Sequence, residues 1–161
     1  MKLTKKSIIY ICQAVLALVA LFLLFAPAIG YKNSDATTSG FKVIFGYDTI
    51  VINAKVKVLD ASFGGIMTFV FIIAAIAIPC VMFFIKDKKI AFILNIVLTV
   101  IAVIAAVFLF LGTTDLMLNP AAKNVSAADL NATLGAAFII DAILFIFIGA
   151  LSVVNQFVIK D

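Results

Sequence analysis

The chain has 161 residues, of which 66% are hydrophobic and only 12% charged, with a formal net charge of +4. A soluble domain is nearer half apolar and a quarter charged, so the composition argues against a water-soluble fold and for an integral membrane protein. There are sixteen Phe and no Trp, His, Glu or Arg, so every cation is a Lys and every acid an Asp.

The missing residue types remove whole classes of chemistry. Without His, the usual general base near neutral pH and the commonest transition-metal ligand are absent. The two cysteines, Cys12 and Cys80, stand far apart and form no CxxC pair. No glycine-rich phosphate loop occurs. Neither a cofactor, a metal nor an enzymatic activity is expected. The lysines bracket apolar stretches, as topology signals do, so nucleic acid is not expected as a partner.

The first apolar stretch predicts a transmembrane helix near 7–29. Lys2, Lys5 and Lys6 with Ala26-Pro27-Ala28 resemble a secretory signal and its cleavage site. The run from Ile8 to Phe25 is, however, longer than the 7–15 residues of such a signal. It is therefore read as a retained helix.

An external loop follows over 30–63. Between Ile50 and Leu59 the residues alternate between an apolar face (Ile50, Ile52, Ala54, Val56, Val58) and a second face (Val51, Asn53, Lys55, Lys57, Leu59), and Phe41, Val43 and Phe45 alternate with Lys42 and Ile44. A period of two predicts strands near 41–46 and 50–59, with Gly46-Tyr47-Asp48-Thr49 as the turn between them. A lone hairpin is marginal, so its apolar face must be covered. Either it packs on the helix tops, or Phe41, Val43, Phe45 and Tyr47 form a surface for another protein.

Two further helices are predicted near 64–85 and 90–112, joined by a turn at 86–89 too short for anything but an antiparallel pair. The second external loop spans 113–132. Asn119-Pro120 suggests a turn or helix start, and Ser126-Ala127-Ala128-Asp129 has the form of a helix N-terminus. The last helix is predicted near 133–158. With the N-terminus inside, seven lysines and two aspartates fall on the cytoplasmic side, against five and five outside. The positive-inside rule then puts both termini in the cytoplasm of the cell membrane.

Asp141 is the one ionisable residue within a span, roughly 6–10 Å below its outer boundary. Such a residue is either an ion- or proton-binding carboxylate or a structural polar contact. Gln13, Asn95 and Pro79 form a second polar layer near the cytoplasmic side. Pro79 frees the carbonyl of Ala75, and Gln13 or Asn95 is expected to donate to it.

The expected fold class is thus an all-α integral membrane protein, a four-transmembrane-helix bundle with a small extracellular β-hairpin or β-sheet. Four spans, internal termini and a long β-type first loop resemble the claudin topology. Claudins carry a Trp, a Gly-Leu-Trp and a Cys pair in that loop; here it has no Trp and no Cys, so the resemblance implies architecture alone. The abundance of Lys, Ile, Phe and Asn resembles that of small four-span proteins of low-GC bacteria. The expected partners are the lipid bilayer and another membrane or extracellular protein, or a second copy of the chain. A scaffold or accessory subunit is the reading this favours, with an ion- or proton-coupled transporter or channel using Asp141 as the alternative.

Overall fold

The computed structural model describes residues 4–158 apart from residues 33, 53 and 86. Lys2, Lys86, Lys160 and Asp161 of the lysine pattern, and Asn53 of the expected strand, lie outside the described residues. Helix α1 (Lys5–Leu23) leads into strands β1 (Pro27–Tyr31) and β2 (Ser34–Ser39), a short helix α2 (Gly40–Phe45), and strands β3 (Tyr47–Val51) and β4 (Ala54–Asp60). Helices α3 (Phe63–Phe84) and α4 (Lys88–Phe110) follow, then β5 (Asn119–Pro120), β6 (Ala132–Leu134) and α5 (Ala136–Phe157). Four of these helices, α1, α3, α4 and α5, are long and apolar enough to cross a membrane.

Each long helix buries residues at alternating steps of three and four. In α1 these are Tyr10, Gln13, Ala17 and Ala20. In α3 they are Gly65, Thr68, Ile72, Ala75, Pro79 and Met82. Helix α4 contributes Asn95, Leu98, Ala102, Ala105 and Leu109, and α5 contributes Phe138, Asp141, Phe145, Ile148, Ser152 and Asn155. This is the heptad spacing of left-handed bundles, which keeps one narrow seam facing the neighbours along the whole helix. Helix α1 packs on α3 and α5, and α4 packs on the same two. The outward faces carry large apolar residues such as Phe22, Val70, Ile93 and Phe147.

One end of the bundle carries two three-stranded antiparallel sheets, ordered β2-β1-β6 and β3-β4-β5. Backbone hydrogen bonds tie them to the helix ends: Phe41 N–H donates to Leu24 O (2.9 Å), Gly64 N–H to Leu116 O (3.0 Å) and Gly135 N–H to Ala28 O (2.7 Å). Asn119 Nδ2 adds a bond to Ala61 O at 3.0 Å.

Several sequence-based expectations differ from this arrangement. The segment expected as a strand at 41–46 is helix α2. Over six residues the pattern fits both periods, because Gly40, Val43 and Ile44 are buried at helical spacing while Phe41 and Phe45 stack four residues apart, centroids 5.9 Å. Gly46, at φ 77°, ends the helix as a left-handed glycine, so Gly46-Tyr47-Asp48-Thr49 is a helix end and strand start, not a hairpin turn. The strand expected at 50–59 is split. Val51 pairs with Ala54, so β3 and β4 are antiparallel neighbours rather than one strand. The apolar Ile52 carries the alternation past the end of β3 and hides the break.

Helix α1 stops before Pro27, which opens β1, so residues 24–29 are not helical. Asn119-Pro120 is a strand rather than a turn, since it pairs with Asp60 and Leu59. The Ser126–Asp129 motif closes one 3₁₀ turn over Ala128–Leu130 and does not start α5. Ser126 donates to Asp129 Oδ2 from its backbone N–H (2.8 Å) and from its hydroxyl (2.7 Å). These two bonds hold the Asp129 carboxyl below its usual range, the backbone bond first.

A side chain at Gly46 would combine left-handed strain with collision against the backbone of Leu59 and Asp60. Gly46→Ala should therefore lower stability by about 1–3 kcal/mol in a thermal melt in detergent. Gly149→Ala is the matched control, because its Cβ would sit 3.5 Å from Ala102 Cβ in ordinary contact. Its melting temperature should not fall.

Candidate functional site

The seam holds the polar residues of the helices, and they gather at two levels. Nearest the end opposite the sheets lie Gln13, Asn95, Ser152 and Asn155, all buried. Gln13 Nε2 donates to Ser152 Oγ at 2.8 Å and reaches Ile148 O at 3.4 Å. Asn95 Nδ2 donates to Ala91 O within its own helix, at 3.0 Å. Neither of these bonds reaches Ala75, so the expected service to the carbonyl freed by Pro79 is not what these amides do. Pro79 is itself buried on the seam. Among the described residues, Gln13 Oε1, Asn95 Oδ1 and both polar side-chain atoms of Asn155 have no hydrogen-bond partner.

A cleft of about 360 Å³ opens at this end, lined by Lys6, Ser7, Tyr10, Lys88, Asn95 and Asn155 among others. Two orphaned amides facing such a cleft are polar groups available to a ligand. Asp87 also borders it, with Oδ1 accepting from the N–H groups of Lys89 (2.8 Å) and Ile90 (3.4 Å) as the cap of α4.

Asp141 lies at the second level, toward the sheets. Gly112 of α4 sits against Phe138, and Ala102 against Gly149, so Asp141 falls opposite the region of Leu109. It is fully buried, and neither carboxyl oxygen has a hydrogen-bond partner among the described residues. Fourteen residues separate it from Asn155, about 21 Å along the helix. The intervening seam of Ala17, Ile72, Leu98, Ala102, Phe145 and Ile148 is buried and apolar. The cleft does not reach the carboxyl.

The expected interaction residues are divided by the fold. Val43 is fully buried, Phe41 and Tyr47 are half-buried, and Phe45 is exposed. Phe41 stacks among Phe25, Phe45 and Phe69, with ring centroids 4.5–6.0 Å apart. Lys42 Nζ stands 5.1 Å over the Tyr47 ring. In the neighbouring sheet, Tyr31 shares a 3.0 Å hydrogen bond with the Thr38 hydroxyl, while burial pushes its phenol up.

Sequence reading missed Ser152 and Asn155, and it missed the exposed tip of β3–β4. The heptad placement of Gln13, Thr68, Asn95, Asp141, Ser152 and Asn155 is the signal that finds the buried set. No family model, no curated protein and no solved structure matches the chain. The claudin-like layout therefore rests on no family match.

Two stability outcomes follow. Ser152→Ala should cost about 0.6–1.7 kcal/mol, and a double-mutant cycle with Gln13→Leu should show the two effects to be non-additive. Asp141→Val, which removes a buried carboxyl with no hydrogen-bond partner among the described residues, should raise stability by about 1–3 kcal/mol in the same melt.

Proposed function

We propose that the protein is a multi-pass membrane protein with both termini in the cytoplasm, acting as a non-enzymatic scaffold or accessory subunit. It contacts a second membrane or extracellular protein, or another copy of itself, through the β3–β4 hairpin on the outer side. The observation that carries this reading is the hairpin tip, where Ile50 is 76% and Ile52 96% exposed. Ile52 also holds φ 48°, a left-handed conformation that β-branched residues avoid. Strain and exposed apolar surface at one point are features of a contact site more than of a loop turned to water.

The rest of the hairpin supports the same reading. Lys55 pairs with Asp48 (2.7 Å) and Lys57 with Asp60, so its charges are matched within the hairpin. The bond to Asp60 holds the Lys57 ammonium above its usual range. Strand β3 has β4 on one side only, which leaves an edge for pairing. The interaction surface thus centres on Ile50 and Ile52, with Phe45 lower down. Val43 belongs to the packing beneath it.

The double substitution Ile50→Asp, Ile52→Asp tests the proposal. In native membranes, a photo-crosslinker at position 56 should give a discrete adduct, and the double variant should reduce it at least tenfold without shifting the melting temperature. An unchanged adduct, or none in the parent protein, would overturn the reading.

The partnerless carboxyl of Asp141 favours a second reading, an ion- or proton-coupled transporter or channel subunit. Its test is flux in proteoliposomes across a pH series. Flux abolished by Asp141→Asn would support it, and the absence of any Asp141-dependent signal would remove it.

A further inference from the structure

The cleft at the end opposite the sheets is lined by two amides whose bonding the protein leaves incomplete. Asn95 of α4 and Asn155 of α5 both border it, 4% and 2% exposed. Asn95 Nδ2 is engaged by Ala91 O at 3.0 Å. Asn95 Oδ1, Asn155 Oδ1 and Asn155 Nδ2 have no hydrogen-bond partner among the described residues. Buried polar atoms in this state destabilise a fold until something bonds to them, so a ligand that does so is favoured.

The atoms themselves set the chemistry of that ligand. Two amide oxygens lack donors and one amide nitrogen lacks an acceptor. Phosphates and carboxylates accept without donating, and ammonium groups donate without accepting, so neither class meets the set. A hydroxyl does both, and two hydroxyls on one head supply a partner for all three atoms. Ser7 and Tyr10 bring hydroxyls of their own to the lining, which also exchange donor and acceptor roles with a polyol. Recognition of this kind uses hydrogen bonds alone and needs no charge on the ligand.

An apolar groove of about 220 Å³ lies beside the cleft between α1 and α3, lined by Ile11, Ala14, Val15, Pro79, Cys80 and Phe84. Tyr10 and Phe83 line both cavities, so the two are contiguous. We propose that together they bind one neutral amphiphile with a polyol head and a single aliphatic chain. The hydroxyls bond to Asn95 and Asn155, and the chain lies in the groove. A monoacylglycerol and an alkyl glycoside are the two sources of that chemistry. The site rests on the membrane location given under the proposed function and is independent of the β3–β4 contact.

The test is native mass spectrometry of the full chain in an amine-oxide detergent, which carries no hydroxyl to compete. The probes are monooleoylglycerol, dodecyl glucoside, and methyl oleate as the matched chain without hydroxyls. One equivalent of monooleoylglycerol should bind roughly tenfold more tightly than methyl oleate. Asn95→Leu and Asn155→Leu should each weaken monooleoylglycerol roughly fivefold and leave methyl oleate unchanged. Ala14→Phe and Cys80→Phe, which fill the groove from opposite walls, should weaken both oleoyl probes alike. The tighter binder of monooleoylglycerol and dodecyl glucoside assigns the source of the head.

Equal binding of monooleoylglycerol and methyl oleate, or leucine variants that bind as the parent does, would overturn the proposal. So would oleate or oleamide binding more tightly than monooleoylglycerol, because the head would then be of another class. Free glycerol competing as well as the lipid would also overturn it, since the groove would have no part. Failure of the membrane reading is separately visible: the protein would stay monodisperse without detergent, before any lipid is added.

Discussion

The four long helices meet along a seam in which Ala, Gly and polar side chains alternate with Ile72, Leu98, Leu109, Phe138 and Phe145, and their outward faces are apolar too. In the membrane proposed for this protein, burying apolar surface provides little reason for one helix to prefer another, so association there has to come from close packing and interhelical hydrogen bonds. Ala17 and Ala20, Ala75, Ala102 and Ala105, and Ala142 with Gly149 allow the backbones to approach. The Gln13–Ser152 bond fastens α1 to α5. This contact geometry determines where polar groups can exist at all. In that proposed setting an amide or carboxyl on the outward face would stand in hydrocarbon, whereas the seam can hold it.

That restriction explains why the polar residues separate into two levels with an apolar stretch between them. At the end opposite the sheets the seam widens into a cleft, and the orphaned amides there have a route to partners from outside. Asp141 has no such route. Asp141 is fully buried, as are Phe138, Ala142 and Phe145 of the same helix. The two levels therefore differ in access: one borders an open cleft, the other is buried.

How much of this was legible in the sequence depended on how far each signal reaches along the chain. The long apolar stretches and the bracketing lysines mark four helices because composition over twenty residues overrides local detail. The shorter elements failed where one pattern fits two periods. Phe41, Val43 and Phe45 alternate like a strand, yet Gly46 imposes a helix end, and the contact of Gly40 with Leu24 decides the matter through tertiary packing. The strands β1 and β2 were hidden for opposite reasons. Pro27–Tyr31 is apolar enough to read as more helix, and Ser34–Ser39 is too polar and unpatterned to read as anything. Of the candidate sites, Asp141, Gln13 and Asn95 stood out as polar residues in apolar spans. Ser152 and Asn155 did not, because near a helix end such residues look like an exit into water.

The second loop contributes a strand to each sheet, β5 beside β4 and β6 beside β1. Both sheets are therefore two-stranded hairpins until residues 119–134 have been made and delivered to the far side of the bundle. A chain synthesised from its N-terminus thus has both third strands available only after α4 has been made. The segment that completes both sheets is thus the one that leads into the last helix, so the sheet end and α5 are covalently and structurally continuous.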